Sequence, residues 1–512
     1  MHVEQVIKMV QPIATRASAA KAGLWSALDL ALRQGLQFFV SVVLARLLTP
    51  ADFGVIAIVS FFTSLSGIFI QGGFATALIQ RADPTHEEQT AIFWLGLALS
   101  AAMAAALYVS GDVIARFYNQ PLLAPLMIVA GVQIVLSALG SVHSALLARD
   151  LRFDLTMVSG IFASVISGTV GLAAAFAGFG IWALAAQACT AAFIGTISLW
   201  VFSPWRPAWR FSPSVLKPLL GFGTWISLSG VLEIIYTQGS ALLVGKLYGV
   251  QDLGFYNRAA STQQLPAMTL YSVIGRITLP LFAARIDEPE AVRRGLRTAI
   301  GLVMLVNVPA MIGISLLADP IVTTLFGDKW KAAAPILSIL AIGGLLYPMH
   351  ALNLQALLAH GGSARFFRIE VIKKLMGVGF VLVGTIYGVE GLAWAQVVLS
   401  VVAFHFNAAP MGQRVGYGTT AQIRDLGQFV IPALLMSTVV LLIVHLVLWP
   451  VMILPLAVLS GGITYILTCY MLKVRAFADA LDLVTDMVRQ RKGRRVADPV
   501  QRSNSTHDEG LF

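Results

Sequence analysis

Long apolar runs dominate the chain, each about the length of a bilayer crossing. A spanning helix needs about 20 mostly apolar residues. Fourteen segments qualify: 24–48, 53–80, 89–109, 123–147, 157–177, 181–202, 219–247, 255–283, 296–318, 333–358, 369–388, 391–409, 426–448 and 450–472. Thr49-Pro50, Asp83-Pro84 and Asp319-Pro320 supply breakers between or at the ends of runs. Two segments are irregular: 255–283 is polar and interrupted by proline, and 369–388 opens on Lys373 and Lys374. Ahead of the first run, Val3, Val6, Ile7, Val10, Ile13 and Ala14 recur at helical spacing. Residues 1–23 therefore read as an amphipathic interfacial segment, without the continuous apolar core of a signal peptide.

Within these runs polar residues are expensive, and they ordinarily face a cavity or a partner. The first run carries Asp29, Arg33, Gln34 and Gln37; Asp29 and Arg33 are four apart on one helix face, which Gln37 extends. The seventh carries Glu233, Tyr236, Thr237 and Gln238. The eighth carries Arg258, Gln263, Gln264, Pro266 and Arg276, and the tenth His350, Asn353 and Gln355. Structural readings stand beside functional ones. Asp29 and Arg33 suit an ion pair, and Glu233 suits a gate partner of Arg33. Arg46, Lys246 and Arg258 suit outer helix ends, where basic side chains snorkel or cap. Arg276 suits the cytoplasmic face, and His350 reads first as a bundle histidine satisfied by its neighbours. Asp52-Phe53-Gly54 and Asp252-Leu253-Gly254 sit where loop becomes helix, the place of an N-cap and a tight turn.

A weak internal repeat orders these positions. Shifted by 200, residues 23–54 match 223–254 at 7 of 32 positions without a gap, among them Trp25/Trp225, Leu47/Leu247, Asp52/Asp252 and Gly54/Gly254. Later the shift grows to 211, where Leu146-Leu147 meets Leu357-Leu358. Six runs separate the repeat starts, an even number, so both halves share one orientation: a parallel repeat about an axis along the membrane normal. Arg33 falls opposite Glu233. The expected fold is all-α and polytopic, with about 14 transmembrane helices in two six-helix lobes around a central cavity. Two extra C-terminal helices pack peripherally. The chain divides into an amphipathic segment 1–23, an N-lobe 24–210, a C-lobe 211–410, the extra helices 411–473 and a basic tail 474–512.

Composition agrees. Hydrophobic residues make up 57% of the chain, against about 45–50% in soluble domains, and mean hydropathy is +0.80. That excludes a disordered chain, a disulfide scaffold and an ordinary soluble enzyme. The net charge of +10 follows topology. With the N-terminus in the cytoplasm, 27 of the 35 Lys and Arg fall on cytoplasmic segments and six outside: Arg46, Arg116, Lys246, Arg258, Lys329 and Lys331. Both termini are then cytoplasmic, and no nucleic-acid partner is implied. Cys189 and Cys469 lie in apolar runs and the eight histidines show no ligand spacing, so no metal or cofactor is expected. No P-loop, HExxH or paired catalytic carboxylates are present.

Trp25-Ser-Ala-Leu-Asp29 and the stretch from Leu44 through Arg46, Thr49, Pro50 and Asp52 to Gly54 resemble Wzx-type polysaccharide flippases. Gly72-Gly73-Phe74 through Arg81, Leu146-Leu147-Ala-Arg149-Asp-Leu-Arg152-Phe153 and Asp252-Leu253-Gly254-Phe255-Tyr256-Asn257-Arg258 continue the likeness. These flippases belong to the multidrug/oligosaccharidyl-lipid/polysaccharide (MOP) superfamily. The branch is that of colanic-acid, teichuronic-acid and lipopolysaccharide exporters, and the resemblance covers roughly 20–410. It implies two six-helix bundles around a V-shaped cavity in the bacterial inner membrane. It further implies a monomer that moves undecaprenyl-diphosphate-linked oligosaccharide outward by alternating access, with membrane lipids and polysaccharide polymerase machinery as candidate partners. In that setting Arg33 and Arg276 would meet the diphosphate. Gln34, Gln37, Tyr236, Gln238, Gln263 and Asn353 would meet sugar hydroxyls, and Asp29 and Glu233 are the candidates for ion coupling or gating. In-span arginines are fewer than in lipid II flippases of the superfamily. A drug or cation antiporter would call for a more acidic cavity, and a polytopic glycan ligase or polymerase for a longer outer loop.

Overall fold

The computed structural model describes residues 34–70, 78, 84–209, 213–283, 288–359, 363–447, 449–482 and 485. Asp29, Arg33, the segment 1–23 and, of the basic tail, residues 483–484 and 486–512 lie outside the described residues. Among those described there is no strand. In order the main helices are α1 (Gln34–Leu47), α2 (Pro50–Gly67), α3 (His86–Tyr118), α4 (Leu123–Arg149), α5 (Phe153–Phe176), α6 (Trp182–Phe202), α7 (Pro213–Leu247), α8 (Val250–Ala283) and α9 (Pro289–Leu316). There follow α10 (Ala318–Phe326), α11 (Ala333–Gly344), α12 (Tyr347–Ala359), α13 (Ser363–Gly384), α14 (Gly388–Val415), α15 (Thr419–Leu426), α16 (Val430–Leu446) and α17 (Pro450–Met471).

Eleven stretches among the described residues are long and apolar enough to cross a membrane. One of them, 366–415, is α13 and α14 folded side by side, with the turn at Gly388 (φ +78) and the backbones of Gly384 and Gly391 in contact. It therefore holds two of the expected crossings. The first expected crossing is described only from Gln34. The eighth is helical throughout as α8 but too polar to qualify by composition. The chain is a multi-pass, all-α membrane protein.

Helix starts have local causes. Thr49 caps α2 in a reciprocal box: its hydroxyl accepts from Asp52 N–H, and the Asp52 carboxylate accepts from Thr49 N–H at 2.9 Å, with Pro50 at the first turn. Thr85 and Glu88 repeat the device at α3. Asn119 ends α3 in the left-handed conformation, and Gly327 (φ +93) follows α10.

The contacts form two compact units, residues 1–260 with 325–336, and residues 261–324 with 337–512. The division cuts α8 inside its length. In the first unit Val40, Leu44 and Leu48 pack on Ala175, Ala183 and Leu184. Leu78, Ile92, Phe93, Val142 and Ala145 are ringed by Trp94, Trp200 and Trp205. In the second, Leu296, Val303 and Met304 of α9, Met349 and Leu352 of α12, and Phe404 and Met411 of α14 share one core with α16 and α17. The two extra C-terminal helices thus join this core through Met436, Val440, Ala457 and Cys469, while Leu434, Leu442, Ile463 and Leu467 point outward, more than half exposed, as a lipid-facing surface requires.

Candidate functional site

The repeat-matched segments meet at the ends of α1, α2, α7 and α8, all within the first unit. Gly54 of α2 lies against the Val250 carbonyl, and Gly254 of α8 lies against the Pro50 carbonyl. Positions 50/250 and 54/254 are equivalent under the shift of 200, so the contact is reciprocal, as a local two-fold relation between the segments produces. A Cβ at either glycine would overlap a backbone oxygen, so a side chain at either position would require the two helices to move apart.

A second reciprocal pair flanks the crossing. Arg46 at the end of α1 donates from Nε to the Leu325 carbonyl at 2.8 Å, closing the end of α10. Lys246 at the end of α7 donates from Nζ to the Phe117 carbonyl at 2.6 Å and lies 4.3 Å from the Phe117 ring centroid, closing the end of α3. Each cation satisfies a carbonyl that a helix end leaves without an intrahelical partner. Lys329 returns the link by donating to the Arg46 carbonyl at 2.8 Å. Partial burial pulls its ammonium below the ordinary lysine range, and the Asp52 carboxylate opposes that shift. Burial likewise holds Asp252 above the usual carboxylate range.

Arg258 occupies the middle of this arrangement. It is 8% exposed, with its guanidinium 4.4 Å from the Phe53 centroid, 4.9 Å from Phe326 and 5.3 Å from Trp330. Its Nη1 donates to Ser41 Oγ at 2.6 Å. Trp330 is fully buried, stacks edge-on against Phe53 and donates its indole N–H to the Ala45 carbonyl at 2.8 Å. A desolvated cation among three π faces is attracted by the ring quadrupoles. The 325–330 segment is thereby fastened to α1, α2 and α8. Sequence reasoning placed Arg46, Lys246 and Arg258 at the outer side but missed Ser41, Phe326, Lys329 and Trp330 as their partners. The Phe326-Gly327-Asp328-Lys329-Trp330 run was the available signal, an aromatic pair straddling a turn.

The other polar residues are distributed differently. Gln37 and Glu233 are exposed on α1 and α7, and Gln34, Tyr236 and Gln238 are half-buried. Gln34, Glu233 and Tyr236 each interact with a neighbouring group. Arg276 lies in the helical stretch of α8, with its side chain outside the described residues. Gln263 and Asn353 belong to the second unit. Gln263 lies against Gly344 and donates to Met311 Sδ at 3.6 Å. Asn353 is fully buried, and its amide is taken up by Gln422 in both directions at 2.8 and 2.9 Å and by the Met349 carbonyl. Asn353→Leu is expected to destabilise the protein by about 1–3 kcal/mol, the cost of stranding a buried amide. The double variant Asn353→Leu/Gln422→Met should recover most of that loss, as thermal unfolding in detergent would show. Among the described residues no three His, Cys, Asp or Glu are grouped to hold a metal ion.

The fold defines a multi-pass helical membrane protein in which the ends of α1, α2, α7 and α8 pack on one another. The chain belongs to the family described as "Polysaccharide biosynthesis protein", whose model matches residues 43–335. It is 28% identical to the teichuronic acid biosynthesis protein TuaB of Bacillus subtilis over 67% of this chain and 71% of that one. It is 26% identical to the lipopolysaccharide biosynthesis protein WzxC of Escherichia coli, covering 70% and 74%. With the succinoglycan biosynthesis transport protein ExoT of Rhizobium meliloti it shares 27%, covering 75% and 78%. Its fold matches that of the lipid II flippase MurJ in an inward closed conformation (TM-score 0.72, 14% identity, 88% of this chain and 98% of that one). It also matches an inward-facing multidrug MATE transporter of the MOP superfamily (TM-score 0.57, 16% identity, covering 77% and 98%).

Proposed function

We propose that the protein is a flippase that carries undecaprenyl-diphosphate-linked oligosaccharide from the inner to the outer leaflet of a bacterial inner membrane, for export of lipopolysaccharide, capsule or exopolysaccharide. It is a transporter and performs no covalent chemistry. The observation that carries the reading is membership of the polysaccharide biosynthesis family on a polytopic fold of the lipid II flippase type. Relatives named for teichuronic acid, lipopolysaccharide and succinoglycan biosynthesis support it.

In this reading the polyprenyl tail stays in lipid while the head group passes along a polar path between two six-helix lobes. Arg33 and Arg276 are proposed to meet the diphosphate, because a doubly anionic group at bilayer depth requires cations. Gln34, Gln37, Tyr236 and Gln238 offer uncharged donors and acceptors to sugar hydroxyls, and Asp29 and Glu233 serve coupling or gating. The Gly54–Gly254 crossing and the Arg46, Lys246 and Arg258 contacts are proposed to form the outer closure, which must part for the head group to leave. The positive-inside count supports cytoplasmic termini. A monomer working beside polysaccharide polymerase machinery completes the reading.

Deletion of the gene followed by extraction of lipid-linked glycans tests it. Wild type is expected to clear accumulated undecaprenyl-diphosphate oligosaccharide, and Arg33→Ala and Glu233→Ala to leave it in place. Rescue by both variants would retain the function and remove those residues from the path. Drug sensitivity without glycan accumulation would instead make the chain an antiporter.

A further inference from the structure

A cleft of about 330 Å³ opens in the second unit where α17 ends and the chain turns back. Lys473 takes the left-handed conformation (φ +50), and a short helix over 475–482 follows. Val474 and Ala476 are buried in the core of this unit. The Ala476 N–H donates to Gln428 Oε1 at 3.4 Å, and a Cβ at Gly301 would sit 3.2 Å from that of Ala476. The short helix is therefore fastened against α9 and the residues that lead into α16.

The floor of the cleft is already bonded. Arg297 donates from Nη2 to Asp425, and the Tyr417 hydroxyl donates to the other oxygen of that carboxylate at 2.9 Å. Gln422 is fully buried, and its amide donates to Asn353 and to the Tyr417 carbonyl. Two charged groups on the remaining wall differ. Arg475 and Asp479 both line the cleft, and among the described residues neither side chain has a hydrogen bond or an ion pair. Their charges reach only as far as Tyr417 and Arg297. They stand four apart on one helix, about 6 Å along its axis. The basic residue comes first, which is the weaker order for pairing along a helix, so both groups stay available.

One available cation and one available anion on the wall of one cleft match a ligand that carries both charges. The headgroup of phosphatidylethanolamine does, with a phosphate and a primary ammonium two carbons apart. Arg475 suits the phosphate through its planar fork of donors. Asp479 suits the ammonium, which has N–H groups to give. A purely anionic headgroup matches less well: the carboxylates of Asp425 and Asp479 already balance the two guanidinium groups of the lining, and a phosphate alone would leave Asp479 opposing it. The rim matches acyl chains. Val430 and Ile431, directly after Phe429 of the lining, and Tyr470, Met471 and Leu472, just ahead of Lys473, are each about half exposed or more. A polar cleft thus adjoins lipid-facing residues at the ends of two crossings.

We propose that this cleft binds the headgroup of phosphatidylethanolamine, with Arg475 on the phosphate and Asp479 on the ammonium. The inference stands apart from the flippase reading. It requires only that the cleft lie at a membrane face, which the positive-inside count assigns to the cytoplasmic leaflet. A lipid bound there ties the 475–482 helix to the bilayer surface and stabilises the folded second unit by mass action.

Delipidated full-length protein in detergent, titrated with dioleoyl lipids and read by native mass spectrometry, tests the site. Wild type is expected to retain phosphatidylethanolamine on the order of tenfold better than phosphatidylglycerol or phosphatidylcholine, the size of one charge-assisted contact. Phosphatidylglycerol lacks the cation, and the choline nitrogen has no N–H for Asp479. Asp479→Asn should erase the preference, and Arg475→Gln should lower retention of the ethanolamine lipid by a similar factor. Arg294→Gln, which alters an exposed cation outside the lining, should change neither. Neither Arg475 nor Asp479 is buried, so both variants should unfold at the wild-type temperature when lipid is absent, which separates lost binding from lost folding. Free phosphoethanolamine should displace the lipid only in large excess, because it brings no chains to the rim. Equal retention of the three lipids, a preference for phosphatidylglycerol, or wild-type behaviour of either variant overturns the site. Displacement by phosphoethanolamine at equal concentration overturns the assignment to a membrane lipid.

Discussion

Gly54→Ala is expected to destabilise the protein by about 3 kcal/mol, the upper end of what an added core methyl costs. The usual escape from overpacking is rotation of a neighbouring side chain, and here none is available: the atom in the way is the Val250 carbonyl oxygen, part of the first turn of α8. The two helices must separate or the added methyl cannot fit. By reciprocity Gly254→Ala should cost a similar amount, because the Pro50 carbonyl stands in the same relation to it. The two losses should fall short of additivity, since the first substitution already parts the helices that the second would part. Gly35→Ala on α1 is the control. No atom lies within 4 Å of a Cβ there, and alanine for a helical glycine should raise stability by roughly 0.5–1 kcal/mol. Thermal unfolding in detergent measures all four proteins. Equal midpoints for Gly54→Ala and Gly35→Ala would mean that the crossing contributes nothing. In cells Gly54→Ala should also leave lipid-linked glycan uncleared, because an outer face that cannot shut leaves alternating access without one of its two states.

Most of the helical architecture was readable from apolar runs because lipid forces each crossing to satisfy its own backbone, and length and hydropathy then report position directly. The exception is α8. Its polar stretch 255–283 reads poorly by composition, yet it is one continuous helix. Its start is occupied by groups that serve the crossing, Gly254 and Arg258, rather than by groups that face lipid. The repeat pointed to the same place from sequence, but for another reason: Asp52 and Gly54 read as a cap and a turn. Asp52 does close the capping box, with Thr49 as the cap itself, whereas Gly54 is needed for a helix crossing that no local pattern specifies. Asn353 illustrates the converse. Within its own helix it resembles a cavity residue, and only the fold brings Gln422, 69 positions away, to its amide. Side-chain partnerships across such separations follow from helix packing and leave no trace in spacing. His350 was legible as a satisfied bundle histidine; its partners, Ser400 and the Asn407 amide, were not.

Trp330→Ala is expected to cost about 3–5 kcal/mol, the range for removing a buried aromatic without collapse of the space it leaves. The side chain is fully buried between Phe53, Phe255 and Phe326, so backbone relaxation has little room to fill the void. The smaller change Trp330→Phe keeps most of the volume and removes the indole N–H from the Ala45 carbonyl, which should cost about 1–3 kcal/mol. Arg258→Met keeps a long apolar stem in the box and removes the charge. If the guanidinium is held by the rings, Arg258→Met and Trp330→Phe should couple by at least about 0.5 kcal/mol in a double-mutant cycle. If Arg258 is held only by Ser41, the two losses should add. The functional consequence differs between them as well. Loss of Trp330 leaves the 325–330 segment tied to α1 only through the Arg46–Leu325 and Lys329–Arg46 bonds at the surface, so the outer closure should loosen and trypsin should cut at Lys329 and Lys331 faster than in wild type. Loss of the Arg258 charge leaves the indole bond in place, and the segment should stay protected. Faster cleavage in Arg258→Met than in Trp330→Ala would show that the cation, rather than the buried indole, fastens the segment.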